Sequence, residues 1–183
     1  GGDGSAASMI ASALAGAAVK GSTVAADAVV GLLSSRQDLR QPMLMALHEA
    51  TGATAARFAP VVLELARTSQ DPAVTTAASL LAGTLYGRLS DEAARAPIRQ
   101  LIDGGLAGPD DQRREMLLYA VGNTGDAALR ARAYEMLSDT NVGIRLAVAD
   151  VATGNADGSS VLYRLADDDD PLVAARAGYD CDT

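Results

Sequence analysis

His48 and Glu49 set an imidazole beside a carboxylate, the donor types that a transition-metal site or an acid–base pair would use. His48 is the only histidine in the 183 residues. One imidazole and one carboxylate cannot fill a metal's coordination shell, and any Ser-His-Asp arrangement would have to run through this single ring. Asp167–Asp170 is a run of four carboxylates whose repulsion a divalent cation would relieve. The run also fits a turn in which one Asp caps a helix and the others stay solvated. Asn155-Ala-Asp157-Gly158 has the composition of part of a calcium loop, but the flanking positions that must be acidic are Thr153 and Arg164. A turn with Asp157 capping the next helix fits better. No Gly-rich phosphate loop follows a strand, and no Gly-x-Ser-x-Gly elbow occurs. The single Cys181 excludes an intramolecular disulfide and a Cys-based zinc site. The residues therefore assign no catalytic group, no metal ligand and no cofactor.

The elements that would position these side chains come from a repeat. Arg114-Glu-Met-Leu-Leu-Tyr-Ala-Val-Gly-Asn-Thr-Gly-Asp126 lies without a gap over Arg145-Leu-Ala-Val-Ala-Asp-Val-Ala-Thr-Gly-Asn-Ala-Asp157, an offset of 145 − 114 = 31 residues. That is the length of a helix pair with two turns. Leu117, Ala120 and Val121 correspond to Val148, Val151 and Ala152. Ala78, Leu81 and Ala82 have the same spacing, as do Leu44, Leu47 and His48. Spacing of this kind puts each trio on one helix face, and places His48 on a packed face.

Capping signals agree with the register. Asp71-Pro72 and Asp170-Pro171 put an N-cap before a proline suited to the first turn. Gly52, Gly125 and Gly154 fall where the first helix of a pair should end, and Asp126 and Asp157 where the second should begin. Pro60 and Pro97 are expected in the first turn of a second helix. The pattern predicts eleven helices and no strand. First helices are expected at 5–18, 40–50, 72–89, 111–122, 142–153 and 171–178, and second helices at 23–34, 55–68, 91–106, 126–137 and 159–167. The fold expected is an all-α superhelix, a HEAT/armadillo-like solenoid of about five helix pairs plus a half repeat. It occupies 1–183 as one domain, with 1–4 read as an appended or disordered lead. The unpaired last helix predicts a piece of a longer array.

Composition narrows the function classes. With 3% aromatic residues, one Phe and no Trp, the core must be built from Ala, Leu, Val and Ile, which favours close-packed short helices. Net charge is −8 with a single lysine, Lys20, and this opposes nucleic-acid binding. No apolar run approaches the ~20 residues of a membrane span. The preference for Arg over Lys, with abundant Ala and Gly, suggests a GC-rich bacterial source.

Residues 71–178 resemble HEAT-like repeats through Asp71-Pro-x-Val74, Asp170-Pro-Leu-Val173 and Asn141-Val-Gly-Ile-Arg145. The order of Ser79–Leu89, then Leu117–Asp126, then a HEAT-like unit is similar to the helical arch domain of vitellogenin-type large lipid transfer proteins and their bacterial relatives. In that family the arch frames a lipid cavity walled by sheets, so the resemblance implies a scaffold, with lipid bound only through domains outside this piece. Deoxyhypusine hydroxylases, also HEAT-repeat proteins, hold iron with several His-Glu pairs, whereas this chain has one.

The leading expectation is a non-catalytic protein-binding or scaffold module whose second helices form the contact surface for an unidentified protein partner. Glu64, Arg99, Arg130, Arg132, Tyr134, Tyr163 and Arg164 are the candidate contact residues, with Tyr86, Tyr119 and Tyr179 read as packing. A lipid-carrier arch is the alternative. A HEAT-like enzyme, metal-dependent through His48/Glu49 or a lyase, is the second alternative.

Overall fold

The computed structural model describes residues 3–178, so Tyr179 and Cys181 lie outside the described residues. These residues are all-helical, with no strand among them. The helices are α1 (Asp3–Val19), α2 (Thr23–Ser35), α3 (Arg40–Ala46), α4 (Gly52–Thr68), α5 (Pro72–Arg88), α6 (Glu92–Leu106), α7 (Asp111–Gly122), α8 (Ala127–Tyr134), α9 (Val142–Ala152), α10 (Ser159–Leu165) and α11 (Pro171–Gly178). Short 3-10 turns, Gln37–Leu39 and Leu47–Glu49, flank α3. No helix among the described residues is long and apolar enough to cross a membrane. The chain divides into two compact units within α6, one ending at Leu101 and the other starting at Ile102.

In the first unit α1 packs on α2 and α3, and α3 and α4 both pack on α5. Helix α5 buries Val74, Ala77, Ala78, Leu81, Ala82, Leu85 and Tyr86, so it is apolar around most of its circumference and sits at the centre. Phe58, the one phenylalanine, is fully buried in α4. In the second unit α9 packs on α7, α8, α10 and α11. Every member of the four sequence trios is at most 1% exposed, with the single exception of His48. Helix α3 stops at Ala46, and the following 3-10 turn advances each residue further round the axis than an α-helix would. His48 is thereby carried off the packed face and is half-buried.

Three capping expectations are corrected. Pro60 and Pro97 lie in helix interiors rather than first turns, because α4 starts after Thr51 and α6 after Asp91. The Asp91 carboxylate accepts the Ala93 N–H at 3.0 Å, a start signal a full turn before Pro97. Arg67 donates to the Pro97 carbonyl at 3.2 Å. Asp126 caps α8, accepting from the Ala128 and Leu129 amides at 2.9 and 3.0 Å. Its repeat counterpart Asp157 caps nothing. The N-cap of α10 is Gly158, which has no side-chain bond to offer. A Cβ on Gly158 would stand 2.2 Å from the Ala152 carbonyl oxygen, so backbone approach demands glycine and displaces the cap. Gly125 and Gly154, which follow α7 and α9, adopt left-handed φ of 67° and 72°, as glycines beyond a helix end do, whereas Gly52 (φ 53°) does not end a helix as expected but opens α4 behind the N-cap Thr51.

The arginines that open the two matched segments fix the spacing of α7, α9 and α11. Arg145 donates through Nε and Nη2 to both carboxylate oxygens of Asp168, at 2.8 and 2.9 Å, and through Nη1 to the Asp139 carbonyl at 2.8 Å. Asp168 also accepts the Asp170 N–H at 2.9 Å, and Asp170 caps α11 through the Leu172 amide. One repeat earlier, Arg114 pairs with Asp139, which accepts the Asn141 N–H at 2.9 Å, and Asn141 caps α9 through the Gly143 amide. Arg114 thus holds the loop that launches α9, and Arg145 the loop that launches α11. The Asn141 amide group also donates to Asp111 at 2.9 Å, tying α7 to α9 a second time.

The side chains of Arg145 and Asp168 are 14% and 10% exposed, so removing one leaves the other part-buried without its partner. Arg145→Met should cost about 1.5–3 kcal/mol in urea unfolding. Arg132→Met, which breaks an exposed pair with Glu135, should cost no more than about 1 kcal/mol. Equal costs for the two variants would show that the part-buried pair does not hold these helices.

Candidate functional site

The candidate contact residues fall in both units, and their environments separate them into committed and uncommitted groups. In the second unit Arg130 on α8 grips Asp157 through Nε and Nη2 at 2.9–3.2 Å, and the Tyr134 hydroxyl donates to the same carboxylate at 3.3 Å. Asp157 therefore bridges from the α9–α10 turn to α8. The Arg130 hydrogen bonds hold its carboxyl below the ordinary carboxylate value. Burial, with the Asp157 charge next, raises the Tyr134 phenol. Arg130 and Tyr134 are parts of the scaffold.

Arg132 is exposed and pairs with Glu135 one turn on. Tyr163 on α10 is 72% exposed, with its ring carried by a helix whose other face buries Val161, Leu162 and Leu165. Arg164 is exposed and forms no ion pair among the described residues. It borders a shallow hollow of about 360 Å³ lined also by Asp139, Arg145, Asp167, Asp168 and Asp169. Within the Asp167–Asp170 run, Asp168 serves Arg145 and Asp170 caps α11, while Asp167 and Asp169 are exposed. Tyr163 and Arg164, adjacent in sequence, are the pair that the scaffold leaves to solvent.

In the first unit Arg99 is drawn inward. It donates to the hydroxyl of the buried Tyr86, lies 5.5 Å from that ring's centre, and sits 3.7 Å from Glu92. Arg95, one turn earlier, lies 5.2 Å from the same ring. Its buried Nε, which has no hydrogen-bond acceptor, gains the cation–π attraction in its place. Glu64 on α4 is exposed and borders a separate cleft of about 410 Å³. Tyr119 lies at the limit of exposure, at 37%. Its phenol is raised by burial first, and then by Asp150 and Glu115.

His48 lies against Thr84, with Nδ1 3.4 Å from the Thr84 hydroxyl, and Glu49 is exposed. Arg88, near the end of α5, donates to the His48 and Ala50 carbonyls, closing the 3-10 turn that follows α3. Burial pushes the imidazole below its ordinary value, Arg88 pushes it the same way, and Glu49 pulls against both. The ring is thus half-buried, with its neutral form favoured.

Sequence reasoning missed Asp139 and, within the Asp167–Asp170 run, the pairing of Asp168 with Arg145. The signal of both aspartates was legible: each lies two positions before a cap residue, at Asn141 and Asp170, and 25 or 23 positions after an arginine that opens a repeat. Compared with known proteins, the chain matches no family model and no curated protein.

Two outcomes follow from these environments. A lowered imidazole pKa means that acid favours the unfolded chain, so His48's contribution holds above about pH 6.5 and is lost as pH falls through the folded value. The stability of the wild type relative to His48→Asn should decline between about pH 7 and pH 5 in parallel urea titrations. A constant difference would mean an unperturbed imidazole. Second, Asp126→Ala should speed hydrogen exchange at the Ala128 and Leu129 amides and cost about 1 kcal/mol. Asp157→Ala should leave exchange at Ser159–Val161 unchanged while freeing Arg130 and Tyr134, and faster exchange there would restore Asp157 as a cap.

Proposed function

We propose that this chain is a non-catalytic protein-binding or scaffold module. In this reading its helix pairs form a HEAT-like array of about five pairs and a half unit, and the second helices carry the contact residues. The observation that supports it is the Tyr163–Arg164 pair on α10. A tyrosine 72% exposed, next to an arginine without an ion-pair partner among the described residues, joins the two side-chain types most useful at the centre of a protein interface. Arg132 supplies a further exposed cation on α8. The segment from residue 102 onward holds 15 acids against 7 arginines and so carries the whole net charge of −8. A partner presenting mixed charge with a basic excess suits that surface.

A photo-crosslinking residue at position 163, introduced in cells of the source organism, tests the reading. One dominant heterologous adduct is expected, reduced several-fold by Arg164→Ala. Adducts indistinguishable from those formed by the same probe at exposed Gln100 would overturn it.

A further inference from the structure

A cleft of about 410 Å³ lies wholly within the first unit, between the end of α2, the start of α3, the last turns of α4 and the start of α5. Its floor is apolar, made by Val61, Leu65 and Val74. Most of its polar rim is already satisfied internally. Arg40 gives Nε and Nη2 to the Leu33 and Ser34 carbonyls at 2.8 and 3.1 Å. The Thr68 hydroxyl donates to the Glu64 carbonyl, and the Gln70 amide to the Thr68 carbonyl. Asp71 accepts the Ala73 N–H as the cap of α5. Two groups remain without a partner among the described residues: the Glu64 carboxylate and the Gln37 carboxamide.

A ligand that completes this inventory must bring a cation to Glu64, a slender apolar stem for Val61, Leu65 and Val74, and a hydrogen-bonding amide for Gln37. An arginine side chain on an extended peptide has all three. Its planar guanidinium can pair with both oxygens of a carboxylate, its methylenes cover apolar surface, and its own peptide group supplies the amide. The fixed charge of Arg40 on another wall repels a second cation and so sets the direction in which the side chain enters. We propose that this cleft receives an arginine side chain of an extended partner segment, with Glu64 as its counter-ion. The inference rests on the protein-binding reading above but uses a different surface from α10.

The test is amide-resolved NMR titration of the full chain with three blocked tripeptides, Gly-Arg-Gly, Gly-Lys-Gly and Gly-norleucine-Gly. The arginine peptide should give saturable shifts confined to residues 34–40 and 61–74, weakening as salt rises. Glu64→Gln should lower its affinity about tenfold, and Gln37→Ala about threefold, while Glu135→Gln in the second unit leaves it unchanged. Glu64 is exposed, so its variant is expected to fold, and an unchanged spectrum outside the cleft checks this. No saturable shifts, equal binding by the norleucine peptide, or unaltered affinity in Glu64→Gln would each overturn the proposal, and tighter binding of lysine than arginine would overturn the choice of guanidinium. Shifts at the cleft without an adduct at position 163 would uphold this site and remove only the α10 surface.

Discussion

The ion pair between Arg145 and Asp168 is the constraint on which the second unit depends. Two charges held at 14% and 10% exposure are costly to desolvate, and they persist because each is saturated. Arg145 donates four hydrogen bonds, two to the carboxylate and two to carbonyls of its own approach loop, and Asp168 in turn accepts a backbone amide two residues on. The pair therefore links a helix face to a loop geometry, and the loop geometry to a cap. Since Arg114 and Asp139 show the same arrangement, the start of α9 is set by an arginine on α7 and the start of α11 by an arginine on α9.

The same economy explains which polar residues are left for binding. Arg114, Arg130 and Arg145 are turned to carboxylates that belong to the fold, and Arg88 to the carbonyls that end a 3-10 turn. Arg99 is gathered with Arg95 around Tyr86. Arginine is well suited to such positions, because a flat fork with five donors can satisfy several acceptors without a second side chain. In a chain with one lysine, most of the cationic groups are thus structural, and the few that are exposed without a fold partner stand out. An inventory by residue type could not separate these groups. Partners in space do.

The two matched segments diverge at their closing aspartates. Asp126 and Asp157 occupy equal positions in sequence, yet one caps a helix and the other joins Arg130 and Tyr134. The cause is Gly158, whose contact with the Ala152 backbone leaves no room for a side chain and takes the cap position itself. His48 diverges from its trio for a comparable reason: α3 ends at Ala46, two residues before His48, and the 3-10 turn that follows does not keep the register. Pro60 and Pro97 misled because proline favours first turns but is tolerated inside a helix that tertiary packing already supports.

The eleven α-helices of the described residues, their order and the packed faces of the four matched trios, His48 excepted, were determined by the sequence alone, because the 3.6-residue apolar period and the Asp, Pro and Gly signals at helix ends are local properties of the chain. That Leu44, Ala78, Leu117 and Val148 would be buried followed from spacing. Tertiary structure decided which charged and polar side chains are occupied. Whether Glu64, Arg130 or Tyr163 faces solvent, a carboxylate or a cleft depends on groups 20 to 30 residues distant, as the separation of 27 between Arg130 and Asp157 illustrates. Periodicity assigns a residue to a helix face, whereas the partner met by that face is fixed only when loops of unequal length bring the next helix against it.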